Sequence, residues 1–342
     1  MSGADYHASL KRVVDGQSLD AEASARLFTA IMAGEVHETE LAAFLMAQAV
    51  RGPTVQELTG AARAMRSAML TVDAPAMAID LCGTGGDGHG TLNISTAVSF
   101  VVAACGVPVA KHGNRSASSK SGAADVLEKL GVKIALTPQS AGVCLRDVGL
   151  CFLFAQTYHP AMKHVANVRR SLGIRTIFNL LGPLSNPARV KRQLMGVYSR
   201  EWLEPLAYVL AALGAEKAWI VHGHDGLDEL TTTDLTHVAV LEDGKVTSRT
   251  VSPEDAGIAR ATLADLKGGG ADENAAAIVR LFDGERGPYR DIVVFNAAAA
   301  LIVAGKTNGL REGAELAAKA IDKGAAKHAL KTLIAVSNGR GQ

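Results

Sequence analysis

Apolar side chains near the start of the chain recur with the period of helices. Residues 19–33 and 38–50 each carry an apolar stripe and end close to a glycine, so each segment predicts an amphipathic helix. Thr54-Val55-Gln56-Glu57 has the form of a capping box and predicts a third helix that ends near Met69. Pro75 then marks a linker. The pattern predicts a small, mainly N-terminal helical domain over residues 1–72.

From residue 77 onward, short valine- and isoleucine-rich runs alternate with helical periods. Such runs occupy residues 78–82, 107–110, 218–221 and 292–295, and each predicts a strand. Alternation of strands and helices is typical of an α/β fold, in which successive strands pair in parallel. We therefore expect residues 73–342 to form a large α/β domain with a mostly parallel central sheet.

Composition limits what the chain can bind. Of its 342 residues, 48% are apolar and 20% are charged, which predicts an ordered core. The net charge of +1 offers no general attraction to nucleic acid or to a membrane surface, so an anion would have to be bound locally. We expect neither a secretory signal nor a membrane span. Four cysteines in apolar surroundings predict buried, reduced thiols, as in a cytoplasmic enzyme: Cys82, Cys105, Cys144 and Cys151.

A glycine-rich segment joins the first predicted strand to a helix-like run. Gly83-Thr84-Gly85-Gly86-Asp87 is followed by Thr91-Leu92-Asn93-Ile94-Ser95-Thr96, and we call residues 83–96 the first loop. Backbone N–H groups at the start of a helix bind anions, and glycine permits close approach of a ligand. Asp87 suits a sugar hydroxyl or a metal ion carried by the anion. The first loop therefore predicts a sugar-phosphate or pyrophosphate site, although a tight turn without a ligand would use the same glycines.

A second donor-rich segment follows the next predicted strand. Residues 111–122, the second loop, combine Lys111, His112 and Arg115 with four serines and two glycines before an amphipathic helix at residues 124–130. Hydroxyl groups, N–H groups and cations together suit phosphate oxygens. A solvated basic loop is the alternative, and the apolar elements on both sides make it the weaker interpretation.

An acidic segment follows the predicted strand at residues 218–221. His222-Gly223-His224-Asp225-Gly226-Leu227-Asp228-Glu229 is expected at the carboxyl edge of the sheet, where ligands of open α/β sheets bind. Adjacent carboxylates suit Mg²⁺, which takes one or two carboxylates together with phosphate oxygens and water. An acidic turn at a helix start is the alternative. Zinc is disfavoured because the two histidines lack further ligands in the sequence.

These segments together resemble the anthranilate phosphoribosyltransferase family. The similarity continues through residues 157–163, 168–179, 182–187 and 226–229, so it covers most of the chain. The departures are small: Leu92 stands where an aromatic residue is common, Ala123 where serine is common, and Asn167 where proline is usual.

The resemblance implies the reaction of phosphoribosyl pyrophosphate with anthranilate to give N-(5-phosphoribosyl)anthranilate and pyrophosphate, in tryptophan biosynthesis. It also implies a homodimer, two Mg²⁺ ions and a discontinuous helical domain joined by part of residues 165–190. No membrane or nucleic-acid partner is expected. Displacement at the ribose C1 passes through an oxocarbenium-like state, so charge neutralisation and positioning supply the rate, and no nucleophile, acid or base is assigned.

Site residues follow from the matched motifs. Phosphoribosyl pyrophosphate would be bound by Gly83, Gly86, Asp87, Thr91, Asn93, Ile94, Ser95, Thr96, Lys111, His112, Gly113, Asn114, Arg115, Ser116, Ala117, Ser118, Ser119 and Ala123. Anthranilate would contact Gly83, Asn114 and Arg169, whose guanidinium matches a carboxylate. Ser95, Asp228 and Glu229 would hold the metal. His112, His159 and Tyr158 are candidates to line the anthranilate tunnel, and a packing role for His159 and Tyr158 is equally open.

Two alternatives remain at this point. A pyrimidine nucleoside phosphorylase-like enzyme would use inorganic phosphate and would need neither the acid pair nor the arginine for an aryl carboxylate. A non-catalytic relative that binds nucleic acid would need a basic surface, which the net charge of +1 does not provide.

Overall fold

A computed structural model describes residues 4–116 and 120–340. Four helices begin the chain: α1 (Ala4–Val14), α2 (Ala21–Ala33), α3 (Glu38–Arg51) and α4 (Val55–Ala68). The three helices predicted here are confirmed, with ends shifted by at most two residues. Thr54 caps α4 as expected, because its side chain accepts from the Glu57 N–H and the Glu57 side chain accepts from the Thr54 N–H.

The four N-terminal helices, here called the helical unit, pack closely because small residues bring them together. A Cβ added at Gly60 in α4 would lie 2.2 Å from the Ala21 carbonyl oxygen of α2, so only glycine fits there. The Phe28 ring meets Phe44 edge to face, with centroids 5.9 Å apart. Phe28 also lies 5.7 Å from the ring of Phe178, which comes from a later part of the chain. Residues near position 178 therefore share the core of the N-terminal helices.

The sheet has seven strands in the order β3-β2-β1-β4-β5-β6-β7. The strands are β1 (Ile79–Gly83), β2 (Val109–Gly113), β3 (Leu150–Phe154), β4 (Arg192–Gly196), β5 (Lys217–Gly223), β6 (Thr236–Glu242) and β7 (Lys245–Val251). The first five pair in parallel, and β6 and β7 are antiparallel additions. The predicted fold class, a helical domain with an α/β domain around a mostly parallel sheet, is confirmed.

Helices cover both faces of this sheet. They are α5 (Ile94–Ala104), α6 (Ala123–Lys129), α7 (Pro138–Asp147), α8 (Ala155–Tyr158), α9 (Lys163–Leu172), α10 (Phe178–Leu184), α11 (Leu203–Ala212), α12 (Ala271–Phe282), α13 (Pro288–Val303), α14 (Leu310–Asp322) and α15 (Ala325–Ser337). Short 3₁₀ turns lie at Pro160–Met162, Arg200–Trp202, Pro253–Ala256 and Leu263–Leu266. One core lies between the sheet and helices such as α5 and α13, and the other joins its opposite face to the N-terminal helices, α9 and α10.

The strand predicted at residues 292–295 is wrong. These residues lie inside α13, where Ile292, Val293 and Phe295 are fully buried. A helix that is covered on all sides has no polar face, so its apolar run has no period of 3.6 and reads like a buried strand.

The cysteine and membrane expectations can be compared with the described residues. All four cysteines are free and buried, as predicted. Within residues 4–116 and 120–340, no helix combines the length and apolar character needed to cross a membrane.

The helical unit contains a buried carboxylate whose loss has a predictable cost. Glu57 is fully buried, accepts from the N–H groups of Leu19 and Thr54, and pairs with Arg51 at 2.6 Å. Glu57→Ala leaves this arginine and two N–H groups without their acceptor, so we expect a loss of about 3–5 kcal/mol in the free energy of unfolding. Urea denaturation measures it. The matched control, Glu22→Ala at the exposed Glu22–Arg63 pair, should cost under about 1 kcal/mol.

Candidate functional site

The first loop leaves the carboxyl end of β1 and leads into α5. Its glycines at positions 85, 86, 88 and 90 all have positive φ, which accounts for the glycine-rich sequence. Asp87 accepts from the His89 N–H at 3.1 Å and so shapes the loop itself. Asn93 stands directly before α5 without capping it, and it accepts instead from the Asn274 amide at 2.8 Å.

Residues of the first loop differ in their access to solvent. Gly83 and Gly86 are exposed, and Asp87, Thr91, Asn93 and Ser95 are half-buried. The side chains of Ile94 and Thr96 are only 2% and 1% exposed, so they face the core rather than the cleft. Thr91 pairs with Lys267, which anchors the loop against the segment before α12.

The second loop leaves β2 and ends at α6. Asp125 organises it, because one carboxylate oxygen accepts from the N–H of Gly122 at 2.9 Å and of Ser116 at 3.2 Å. Gly113 and Ala123, at the two ends, are half-buried, and Asn114 between them is exposed. The predicted contacts Ala117, Ser118 and Ser119 lie outside the described residues.

Arg115 is not free to bind phosphate in this conformation. Its guanidinium pairs with Asp125 at 2.8 Å and Glu128 at 2.6 Å, and it lies 5.6 Å from the centre of the Phe154 ring. These two carboxylates raise the pKa of Arg115. A phosphate group would therefore have to compete with two carboxylates for Arg115.

Lys111 lies beneath both loops. It is 3% exposed, and its Nζ donates to the Ser95 hydroxyl at 3.1 Å and to the Leu81 carbonyl. Burial lowers the pKa of Lys111, whereas the negative charge of Asp80 opposes that shift. Asp80 is also buried, and it accepts from the His112 N–H at 3.0 Å. The structure thus brings the predicted residues Ser95, Lys111 and His112 together.

Asp228 and Glu229 reach the first loop from the connection between β5 and β6. Asp228 accepts from the Gly85 N–H at 2.9 Å, and Glu229 accepts from the Ser95 N–H at 3.2 Å. The approach needs glycine on two neighbouring strands, since a Cβ at Gly196 would lie 1.5 Å from the Asp228 carbonyl oxygen. A Cβ at Gly83, the residue paired with Gly196, would lie 2.7 Å from an Asp228 carboxylate oxygen.

Crowding of these acids favours a cation between them. Burial and then the charge of Asp87 raise the pKa of Asp228 to about 7. Burial and then the charge of Asp228 raise the pKa of Glu229 to about 8. In the described part of the chain no three histidine, cysteine or acidic residues are grouped as a complete metal site. The donors present fit Mg²⁺, which takes few protein carboxylates and completes its shell with phosphate oxygens and water.

The predicted anthranilate side is formed by the elements that join the N-terminal helices. Arg169 in α9 is half-buried, and its guanidinium carbon lies 5.4 Å from the centre of the Phe178 ring. Burial lowers the pKa of Arg169, and within the described residues its guanidinium has neither a carboxylate partner nor a hydrogen bond. A carboxylate ligand would compensate its charge.

Two buried histidines connect this side with the second loop. The Nε2 atoms of His112 and His159 lie 3.2 Å apart, and His112 Nδ1 lies 3.1 Å from the Gly182 carbonyl oxygen. When both rings are neutral and His112 donates from Nδ1 to Gly182, its Nε2 accepts from His159 Nε2. Tyr158 has a packing role, because it is fully buried and its hydroxyl donates to the Leu136 carbonyl.

Sequence reasoning missed several residues that support the site. Arg175 donates to the Gly86 carbonyl and lies 4.2 Å from the centre of the Tyr198 ring. Asn274 and Tyr289 both bind Asn93, through its side chain and its carbonyl oxygen. Their partners are distant in the chain, so no local motif marks them. For Arg175, the one signal in the sequence is its place within the motif at residues 168–179.

Two family profiles match the chain. The profile described as the glycosyl transferase family a/b domain matches residues 75–327, and the one described as its helical bundle domain matches residues 8–69. The anthranilate phosphoribosyltransferase of Parvibaculum lavamentivorans is 56% identical over 336 residues, which cover 98% of each chain.

Solved structures agree with these matches. Anthranilate phosphoribosyltransferase from Thermus thermophilus is 44% identical with a TM-score of 0.91, over 96% of this chain and 99% of its own. The Saccharomyces cerevisiae enzyme in complex with PRPP and Mg is 27% identical with a TM-score of 0.90, over 99% of each chain. The same yeast enzyme with 4-fluoroanthranilate is 26% identical with a TM-score of 0.89, again over 99% of each chain.

The buried histidine pair predicts sensitivity of the fold to acid. Burial, and for His112 also the nearby His159, lowers the pKa of His112 to about 3 and that of His159 to about 4. Unfolded histidine titrates near 6.5, so between about pH 6.5 and 4 the unfolded state binds more protons and stability falls as pH falls. Each histidine should contribute a slope of up to about 1.4 kcal/mol per pH unit.

Denaturant unfolding at several pH values tests this slope. His159→Gln should make it shallower by nearly one proton, whereas His328→Gln at an exposed position should leave it unchanged. An unaltered slope in His159→Gln would mean that His159 is already charged in the folded protein.

Proposed function

The chain belongs to the anthranilate phosphoribosyltransferase family, and we propose that it transfers the phosphoribosyl group of phosphoribosyl pyrophosphate to the anthranilate amine and releases pyrophosphate. The observation that carries this proposal is the meeting of both glycine loops, Lys111 and the Asp228–Glu229 pair at one edge of the sheet. A nucleoside phosphorylase would not need this acid pair, and a nucleic-acid-binding relative would not need it or Arg169.

Residues of the chain divide the work of the reaction. The first loop and the second loop would supply N–H and hydroxyl groups to the phosphates, among them the contacts predicted from Gly83 to Ala123. Lys111 holds a positive charge beneath them. The bond from C1 to pyrophosphate breaks as the amine nitrogen bonds to C1, and the amine then loses a proton. When bound at Ser95, Asp228 and Glu229, Mg²⁺ would neutralise the departing pyrophosphate, and we propose two such ions.

Anthranilate would lie between the second loop and α9. Arg169 is half-buried without a carboxylate partner among the described residues, which suits it to the anthranilate carboxylate. Gly83 and Asn114 are exposed where the two strands end, so they would border the amine. Neutral His112 and His159 would line one side of the space that takes the flat aromatic ring.

We also propose a homodimer formed by the helical domain. Val14 in α1 is 59% exposed, and Met46 and Val50 in α3 are 41% and 84% exposed. Apolar groups this exposed on two adjacent helices are typical of a contact surface.

The proposed helical domain is residues 1–72 with part of 165–190, and the remainder of 73–342 binds phosphoribosyl pyrophosphate. The free, buried cysteines support a cytoplasmic location.

The direct test is the loss of anthranilate fluorescence when purified protein receives phosphoribosyl pyrophosphate and Mg²⁺. Fluorescence should fall only when both are present, with stoichiometric release of pyrophosphate. No change with either substrate in excess would refute the proposed reaction.

Removal of the acids tests the metal assignment. Asp228→Asn and Glu229→Gln should each lower turnover by about 100-fold or more, because the Mg²⁺ that neutralises the leaving group would lose a carboxylate ligand. Circular dichroism should show an unchanged fold. The control, Glu242→Gln on β6, removes an exposed acid paired with Lys217 and should retain full activity. Wild-type rates in both acid variants at limiting Mg²⁺ would exclude the assignment.

Arg169→Ala tests the anthranilate side. Loss of a charge-assisted bidentate contact should raise the KM for anthranilate by about 10- to 150-fold, or roughly 1.5–3 kcal/mol. The KM for phosphoribosyl pyrophosphate should change far less. Arg170→Ala, at the exposed neighbouring position, provides the control. Equal changes in both KM values would place Arg169 outside the anthranilate site.

A further inference from the structure

The segment that carries the two acids is an irregular connection in the sheet. β5 and β6 pair as far as Gly223 and Thr236, so residues 224–235 form the whole connection. Leu227 and Leu230, on either side of the acid pair, are fully buried. Asp228 and Glu229 are thereby held next to each other and to Asp87. Like charges at this separation repel, so the connection needs contacts that keep it from opening.

Asp225 provides one such contact. One of its carboxylate oxygens accepts from the hydroxyl groups of both Thr231 and Thr233, the former at 2.7 Å. Its other oxygen accepts from the Leu227 N–H at 3.2 Å. Asp225 therefore ties the residues before the acid pair to the residues after it, and closes the connection around Asp228 and Glu229.

Asn296 provides a second contact that holds the connection between β5 and β6. It lies in the middle of the apolar helix α13 and is fully buried. Its Oδ1 accepts from the Leu230 N–H at 2.9 Å, and its Nδ2 donates to the Leu230 carbonyl at 2.8 Å. The Nδ2 also donates to the Ile292 carbonyl at 2.9 Å. The amide thus pairs with both backbone groups of the residue that follows Glu229, as a neighbouring strand would.

Burial of an amide in an apolar helix is costly unless its bonds are made. Leucine has the same branched shape without polar atoms, so it would occupy this place in the core without that cost. The amide has a specific partner, the backbone of Leu230, and this partner belongs to the segment that carries the acids. Its role is therefore to place that segment rather than to fill the core.

We propose that Asp225 and Asn296 are positioning residues that hold Asp228 and Glu229 in the geometry required to bind the metal ion. This inference rests on the proposed function, because it takes Asp228 and Glu229 as metal ligands. In this proposal neither Asp225 nor Asn296 touches the substrates or the metal. Asn296 acts through the backbone of Leu230, and Asp225 acts through the Leu227 N–H and the hydroxyl groups of Thr231 and Thr233.

The test measures metal binding directly. Mn²⁺, which can replace Mg²⁺ and is detected by electron paramagnetic resonance, is titrated into the protein with saturating phosphoribosyl pyrophosphate. Asn296→Leu and Asp225→Ala should each raise the Mn²⁺ dissociation constant at least ten-fold. Asp225→Asn, which keeps an acceptor for Leu227 and a polar group for the threonines, should restore affinity to within three-fold of wild type.

Two controls separate positioning from stability. Ile302→Ala truncates a buried residue of the same helix α13 and should lower the melting temperature without changing Mn²⁺ affinity. Asp234→Ala removes a half-buried acid of the same connection that pairs with His224 and Arg260, and should also leave Mn²⁺ affinity unchanged. Hydrogen exchange of residues 225–236 should accelerate in Asn296→Leu and Asp225→Ala only.

The outcomes are distinct. Absence of Mn²⁺ binding by the wild-type protein refutes the proposed metal site itself. Wild-type affinity in Asp225→Ala and Asn296→Leu, with tight binding by wild type, refutes the positioning role and leaves the metal site intact. An equal loss of affinity in Ile302→Ala also refutes it, since general instability would then explain the effect. If Asn296→Leu does not fold, Asp225→Ala decides alone, because Asp225 is only half-buried whereas Asn296 is fully buried.

Discussion

The approach of the Asp228 backbone to the sheet edge is the constraint on which the site depends. Gly83 and Gly196 are paired on neighbouring strands, and a side chain at either position would collide with Asp228. Because both are glycine, the connection from β5 reaches across β4 to the end of β1. Asp228 then binds the Gly85 N–H and shapes the first loop. The first loop and the Asp228–Glu229 pair are therefore built as one unit.

The carboxylates of this unit outnumber the positive charges that could balance them. Asp80, Asp228 and Glu229 lie near the single amine of Lys111, and burial weakens the solvent screening of all four. The raised pKa values of Asp228 and Glu229 record the cost. A site with this imbalance is suited to take up a metal ion together with a polyanion, since each compensates the other. Hydrogen bonds of Asp225 and Asn296 to the connection between β5 and β6 resist the same repulsion.

The elements that join the helical unit complete the cleft from its other side. α9 and α10 pack in the core of the N-terminal helices, and the Gly182 carbonyl of α10 contacts His112 of the second loop. Arg175, between these helices, binds the Gly86 carbonyl of the first loop. The His112–His159 pair makes a further link between the two parts. A change in the relative position of these parts would therefore alter contacts of both the first loop and the second loop.

Local sequence determined the helices of residues 19–69, the glycine loops and the acid pair, because capping, glycine conformation and amphipathic period act within a few residues. Tertiary structure decided the rest. Residues 292–295 are helical although their sequence resembles a strand. A completely buried helix has no polar face, so its sequence lacks the helical period. The sequence predicted that Arg115 faces a phosphate, but in the structure it pairs with Asp125 and Glu128. Asn296 acquired its role only through contact with Leu230, 66 positions away in the chain. Partners so distant leave no local pattern, so only the folded chain reveals them.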